Sequence, residues 1–122
     1  MSVADDITSA YGEKFDALRG VYGPAGNLKF KTFAAQEPDS TLAEVTSGWQ
    51  LSREEGAEVT LEVIEGAATV AGTLSESHVN DAAILEVGGR DYLKTPKSEG
   101  GVIPPTKAPR MWVIKAKLLG VQ

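Results

Sequence analysis

The segment from Ala82 to Gln122 constrains the fold more than any other part of the chain. An apolar run, Ala83-Ile84-Leu85-Glu86-Val87, meets Gly88-Gly89, and a second run follows from Arg90 to Thr95. Two glycines between such runs supply the positive φ angles of a two-residue primed turn, so the segment predicts a tight antiparallel hairpin. Leu85 and Val87 share one face before the turn. Tyr92 and Leu93 point to opposite faces after it, so one of them should be partly exposed. Four prolines and two glycines between Pro96 and Pro109 then mark a long loop. Beyond it Met111, Val113, Lys115 and Lys117 alternate with Trp112, Ile114, Ala116 and Leu118. The second set reads as the inward face of a closing strand over Met111–Leu119.

Upstream, the periodicity starts helical and then changes. Val3, Ile7, Tyr11, Phe15 and Leu18 fall on one face of a helix over Ser2–Leu18, with Ser2 as a cap, Gly20 as a stop and Gly12 as a weak point. After the turn-rich Gly23–Asn27, Leu28, Phe30 and Thr32 alternate with Lys29, Lys31 and Phe33, which predicts a strand; Val21-Tyr22 should flank the same hairpin loop. Residues 36–48 are ambiguous, with a turn at Glu37–Ser40. Val45–Leu51 suggests a short strand carrying Trp49, and Arg53–Gly56 a polar turn. Val59, Leu61 and Val63 give a β-branched strand, Thr69–Leu74 another short one, and Leu74–Asp81 a connecting loop.

These readings make a mainly β chain: a small barrel or sandwich of six to seven short strands with one N-terminal helix and a long extended loop. A single domain spans residues 1–122. Its parts are a helix over 1–20, a barrel built from 21–94 and 110–119, and a Pro/Gly/Lys loop over 95–109.

The charge is unevenly distributed. The net charge is −5. Residues 1–93 hold 16 of the 17 acids and six of the 12 bases, a balance of −10. Residues 94–122 hold one acid and six bases, a balance of +5. Such a split can make the basic end of one copy complementary to the acidic body of another, or to an acidic partner. Lys94, Lys97, Lys107 and Arg110 on the loop, with Glu54, Glu55 and Glu58 as partners, are the candidate subunit-interface residues. A solvated loop that carries lysines is the simpler alternative. The same basic residues could touch passing DNA non-specifically, although the acidic remainder opposes it.

Catalytic equipment is sparse. There are no cysteines and one histidine, His78, so thiolate chemistry and thiolate metal sites are excluded. Ser75 and Ser77 stand too close to His78 in sequence for a Ser-His-Asp arrangement, and loop hydrogen bonding is the expected role. The adjacent pairs Asp5-Asp6 and Glu54-Glu55 splay apart and do not chelate by themselves. Glu62 with Glu65, or Glu86 with Asp91, could pose as paired acids, but solvated strand faces are the expectation. No phosphate-binding glycine loop occurs. The expectation is therefore a non-enzyme without catalytic residues, metal or cofactor. No run reaches the roughly 18 apolar residues of a membrane helix, and the N-terminus lacks a secretory signal.

The order of a short helix, a small barrel, "AILEVGGRDYLKT" and a terminal "RMWVIKAKL" strand resembles the head–tail joining, or head completion, proteins of long-tailed bacteriophages of the lambda type. The matching positions are Ile84–Val87, Gly88-Gly89, Tyr92-Leu93 and Trp112, within residues 68–119. The 95–110 loop is longer than in that family, and residues 36–56 have no counterpart. The resemblance implies a structural virion protein, assembled in the host cytoplasm, that forms a neck ring of six copies between portal or adaptor and tail proteins. A capsid decoration protein is the alternative. A small β-barrel enzyme or carbohydrate-binding module is the third reading; it requires a concave pocket with converging carboxylates or exposed aromatics, and its binding-module version fails if Trp49 and Trp112 are buried.

Overall fold

The computed structural model describes residues 10–17, 26–32, 41–106 and 110–121, without the side chains of 120 and 121. Residues 10–17 form helix α1. Six strands follow: β1 (Leu28–Lys31), β2 (Thr41–Val45), β3 (Trp49–Glu55), β4 (Glu58–Ile64), β5 (Ala68–Thr69) and β6 (Gly72–Thr73). Helix α2 (Glu76–Asp81) leads to β7 (Ile84–Val87) and β8 (Arg90–Lys94). A 3-10 turn at Lys97–Glu99, then β9 (Val102–Ile103) and β10 (Met111–Val121), complete the described chain.

The strands form one antiparallel sheet in the order β3-β4-β10-β8-β7-β1-β2-β5-β6, curled into a half-barrel. Seven of the strands have four residues or more, within the six to seven expected in number, although the sequence reading does not include β2; β5, β6 and β9 are two-residue additions. Strand β10 organises the sheet. One of its edges pairs with β4 from Met111 to Lys117. The other pairs with β9 at Val113 and Ile114, then with β8 from Ala116 onward.

Three irregularities bend the sheet. The register skips Ser52 in β3, Leu119 in β10 and Leu42 in β2, so each is an extra residue opposite a regular partner strand. Such bulges increase local twist and turn a flat sheet into a curved one. The Ser52 hydroxyl donates to the Thr60 carbonyl at 3.1 Å and holds the β3 bulge in place.

The core fills the concave side. Leu28 and Phe30 of β1, Val45 of β2, Trp49 of β3, Leu61 and Val63 of β4, Leu85 of β7 and Ile114 of β10 are all fully buried. Each such side chain contributes about 1.5–3 kcal/mol of transfer free energy. The alternation expected from the sequence holds: Trp112, Ile114 and Ala116 are buried between exposed or half-buried neighbours, and Tyr92 is buried where Leu93 is exposed.

Helix α1 buries Phe15, and Tyr11 meets the Phe15 ring edge-on at 6.1 Å. The helix packs against the end of β4 at Gly12, where a Cβ would sit 3.6 Å from Ile64 Cγ1, an ordinary van der Waals contact. Asp16 Oδ1 accepts the Gly48 amide at 2.8 Å and ties the helix to the β2–β3 turn. The Ser2 cap, the Gly20 stop, Val21-Tyr22, Phe33 and Lys107 lie outside the described residues.

Several expectations are corrected. The strand read over Val45–Leu51 is two strands, parted at Gly48, whose φ of 77° forces a turn. Arg53–Glu55 belong to β3, and the turn falls at Gly56-Ala57. Thr69–Leu74 is a miniature hairpin, β5–β6, rather than one strand. Leu74–Asp81 is not a loop: α2 occupies most of it, started by a Ser75 cap. With only Val79 buried on the helix, there was no periodicity to reveal it.

The 95–109 segment is not a free arm over its described part. The Gly101 amide donates to the Pro96 carbonyl, the Lys115 amide to the Gly101 carbonyl and the Thr95 amide to the Lys115 carbonyl. A Cβ on Gly101 would overlap the Thr95 carbonyl. Gly101→Ala should therefore cost about 1–3 kcal/mol, as overpacked sites do. Gly101 contributes no buried side chain of its own, so a variant as stable as wild type in urea unfolding would contradict this packing.

Candidate functional site

The outer face of the β3-β4-β10-β8 quarter carries most of the exposed chemistry. Cross-strand register sets Glu55, Glu58 and Lys117 in one row, continued by Leu93, and Arg53, Thr60 and Lys115 in the next. Between these rows and the Thr95–Glu99 segment lies an open groove of about 500 Å³, lined by Arg53, Glu58, Leu93, Pro96, Glu99 and Lys115 among others. Leu93 in its lining is 40% exposed, and Ile103 of β9 and Leu119 of β10, outside the lining, are 47% and 51% exposed. Exposed apolar side chains of this size are candidates for a contact surface.

The candidate interface residues are dispersed, and most have intrachain partners. Lys94 faces the concave side and reaches the C-terminus of α2. Its ammonium donates to the Val79 carbonyl at 2.5 Å and to the Asn80 carbonyl at 3.1 Å, satisfying helix carbonyls that lack intrahelical donors. Arg110 makes a two-pronged pair with Glu65, both contacts at 2.9 Å. Glu54 meets Arg90 at 3.8 Å, Glu55 meets Arg53, and Glu58 meets Lys117 at 3.7 Å. The side chains of these pairs are 40–69% exposed, and such pairs contribute at most about 1 kcal/mol each. Lys97 is exposed on the 3-10 turn. The structure thus brings Glu55 and Glu58 to the groove, while Lys94 only borders it with its ammonium turned to α2, and Arg110 sits beside Glu65, away from them.

Sequence reasoning missed Lys115 and Lys117 as groove residues. The signal was present, because both lie on the outward set of the β10 alternation. It also missed the ion-pair chain Lys29–Glu86–Lys31–Asp91, each contact 3.5 Å, on the outer face of β1, β7 and β8. Alternating lysines opposite an acid on a neighbouring strand announce such a chain only once the strand order is known.

Trp49 and Trp112 are buried, which removes the exposed aromatic platform that a carbohydrate-binding module of the expected kind requires. Among the described residues no group of three His, Asp or Glu side chains is close enough to hold a metal ion, and no helix is long and apolar enough to cross a membrane. His78 lines a second open groove of about 630 Å³ with Lys29, Lys31 and Glu44. Comparison of the chain with protein-family models, with curated proteins and with solved structures finds no match in any of the three.

Burial holds the Lys94 ammonium below the ordinary lysine value, and the Asp81 carboxylate pulls it partly back. The folded chain therefore binds this proton less tightly than the unfolded chain. Stability linked to Lys94 should rise as pH climbs from the lowered value toward 10.5 and be lost below that window. Urea unfolding across alkaline pH should show this component in wild type and lack it in Lys94→Met; identical pH slopes would refute it.

Proposed function

We propose that this chain is a structural subunit whose work is done through contacts between copies and with neighbouring proteins, and that its setting is the neck of a long-tailed bacteriophage. The observation that carries the reading is the placement of the hairpin and closing-strand segments that resemble neck proteins. They are neighbours in the sheet, β7-β8-β10, and form one continuous unit. The outer surface of that unit presents Leu93 and Leu119, with Ile103 on the adjoining β9.

On this reading, the outer face of β8, β9 and β10 is one half of the subunit contact. Exposed leucines supply the area, and Lys97 and Lys115 beside them supply charge. A ring needs a heterologous interface, in which this patch meets a different patch of the next copy. The groove itself carries both signs, Glu55, Glu58 and Glu99 beside Arg53, Lys115 and Lys117, so a patch of complementary mixed charge on the neighbour suits it. The ring would stand between a portal or adaptor and the tail.

Mass measurement of the purified protein, alone and with portal and tail proteins, tests the reading. Defined oligomers are expected, and Leu93→Glu with Leu119→Glu should weaken association roughly 10-fold or more, since each buried leucine is worth about 1.5–3 kcal/mol. Both side chains are exposed in the single chain, so the far-UV spectrum should not change. A protein that stays monomeric with all partners present would sink the proposal.

A further inference from the structure

We propose that His78 is a proton-operated latch: neutral, it locks the first turn of α2 onto the end of the half-barrel, and protonated, it releases that turn. This rests on the local geometry and is independent of the neck reading. The Ser75 amide donates to His78 Nδ1 at 3.2 Å, and the His78 amide donates to Ser75 Oγ at 3.4 Å. The two residues form a reciprocal capping box, with histidine where glutamate or glutamine ordinarily stands. Ser77 Oγ lies 2.9 Å from Ser75 Oγ and steadies the cap.

The substitution matters because a capping glutamine cannot change its charge and a histidine can. Nδ1 accepts the Ser75 amide only while it carries no proton. Once protonated, it is a donor facing a donor. His78 is the one histidine in the sequence, and histidine is the side chain whose ordinary titration falls between about pH 5 and 8.

The surroundings do not reverse the sign. On α2 itself the charged residues are Glu76 and Asp81. The groove that His78 lines carries Lys29 and Lys31 from β1, Glu44 from β2 and Glu86 from β7. The two lysines are already paired with Glu86, and with Glu76 and Asp81 counted the six charges sum to −2, which restores no acceptor to the Ser75 amide. The hydrogen bond therefore decides the outcome.

The latch holds a real load. Leu74, just before the cap, and Val79 and Ala82 are buried in the common core. Lys94 clamps the other end of the helix through the Val79 and Asn80 carbonyls. Release therefore begins at the N-terminal turn, and it exposes apolar surface of the core beside Leu74 in mildly acidic solution.

Hydrogen exchange of the 75–82 segment, corrected for intrinsic rates, is the test. Exchange in wild type should accelerate roughly fivefold between neutral and mildly acidic pH, the size of a lost helix cap. His78→Gln, which keeps an acceptor, should be protected at both pH values, and His78→Ala should exchange fast at both. Nitrogen NMR of the imidazole should find Nδ1 unprotonated at neutral pH. The proposal is overturned if Nδ1 carries the proton there, if His78→Gln responds to acid as wild type does, or if β4 accelerates equally, which would mean global loosening.

Discussion

The structure depends on one strand having partners along both edges. β10 is the longest element among the described residues, and its backbone hydrogen bonds join β4 on one side to β8 and β9 on the other. Apart from β9, those partners lie far from it in sequence, so nothing local brings them together. What selects the register is the inward set Trp112, Ile114 and Ala116, each buried against the core. A slip of one residue would turn all three toward water and bring Lys115 and Lys117 inside, into a core where no polar or charged side chain is buried among the described residues. The apolar core thus fixes the register, and the register in turn fixes the rows of charge on the outer face.

The parts legible from sequence were those with a strong local pattern. The hairpin at Gly88-Gly89 was, because two glycines permit the turn and few other residues do. The inward set of β10 was, because alternation over a long strand leaves little ambiguity. Helix α2 was not, because a helix with a single buried residue has no periodicity, and a capping box with histidine does not match the usual acidic pattern. The Gly48 break was hidden inside an apolar stretch whose composition suits one strand as well as two. The loop after Thr95 misled for another reason. Its prolines suggest an arm, but Gly101 lets its backbone approach Thr95 closely enough to be held.

The candidate interface was harder to see because charge in sequence does not determine who pairs with whom. The basic C-terminal third looked available to a partner. In the fold Lys94 serves a helix end, Arg110 serves Glu65 and Lys117 serves Glu58. The surface proposed for contact combines apolar and charged side chains. Its leucines and isoleucine sit on strands whose opposite faces are needed for the core, so the face can change without disturbing the interior. That separation suits a subunit that must hold its shape while meeting several neighbours.

A sheet that curls without closing leaves two margins. One is β3, where the Ser52 bulge and the charged pair Arg53 and Glu55 interrupt any regular run of backbone donors and acceptors. The other ends in β5 and β6, two residues each. Neither margin, among the described residues, offers a long straight template to a passing strand. Copies of this chain can therefore be crowded together without knitting into fibres, a protection that matters most wherever many of them are confined to a small volume.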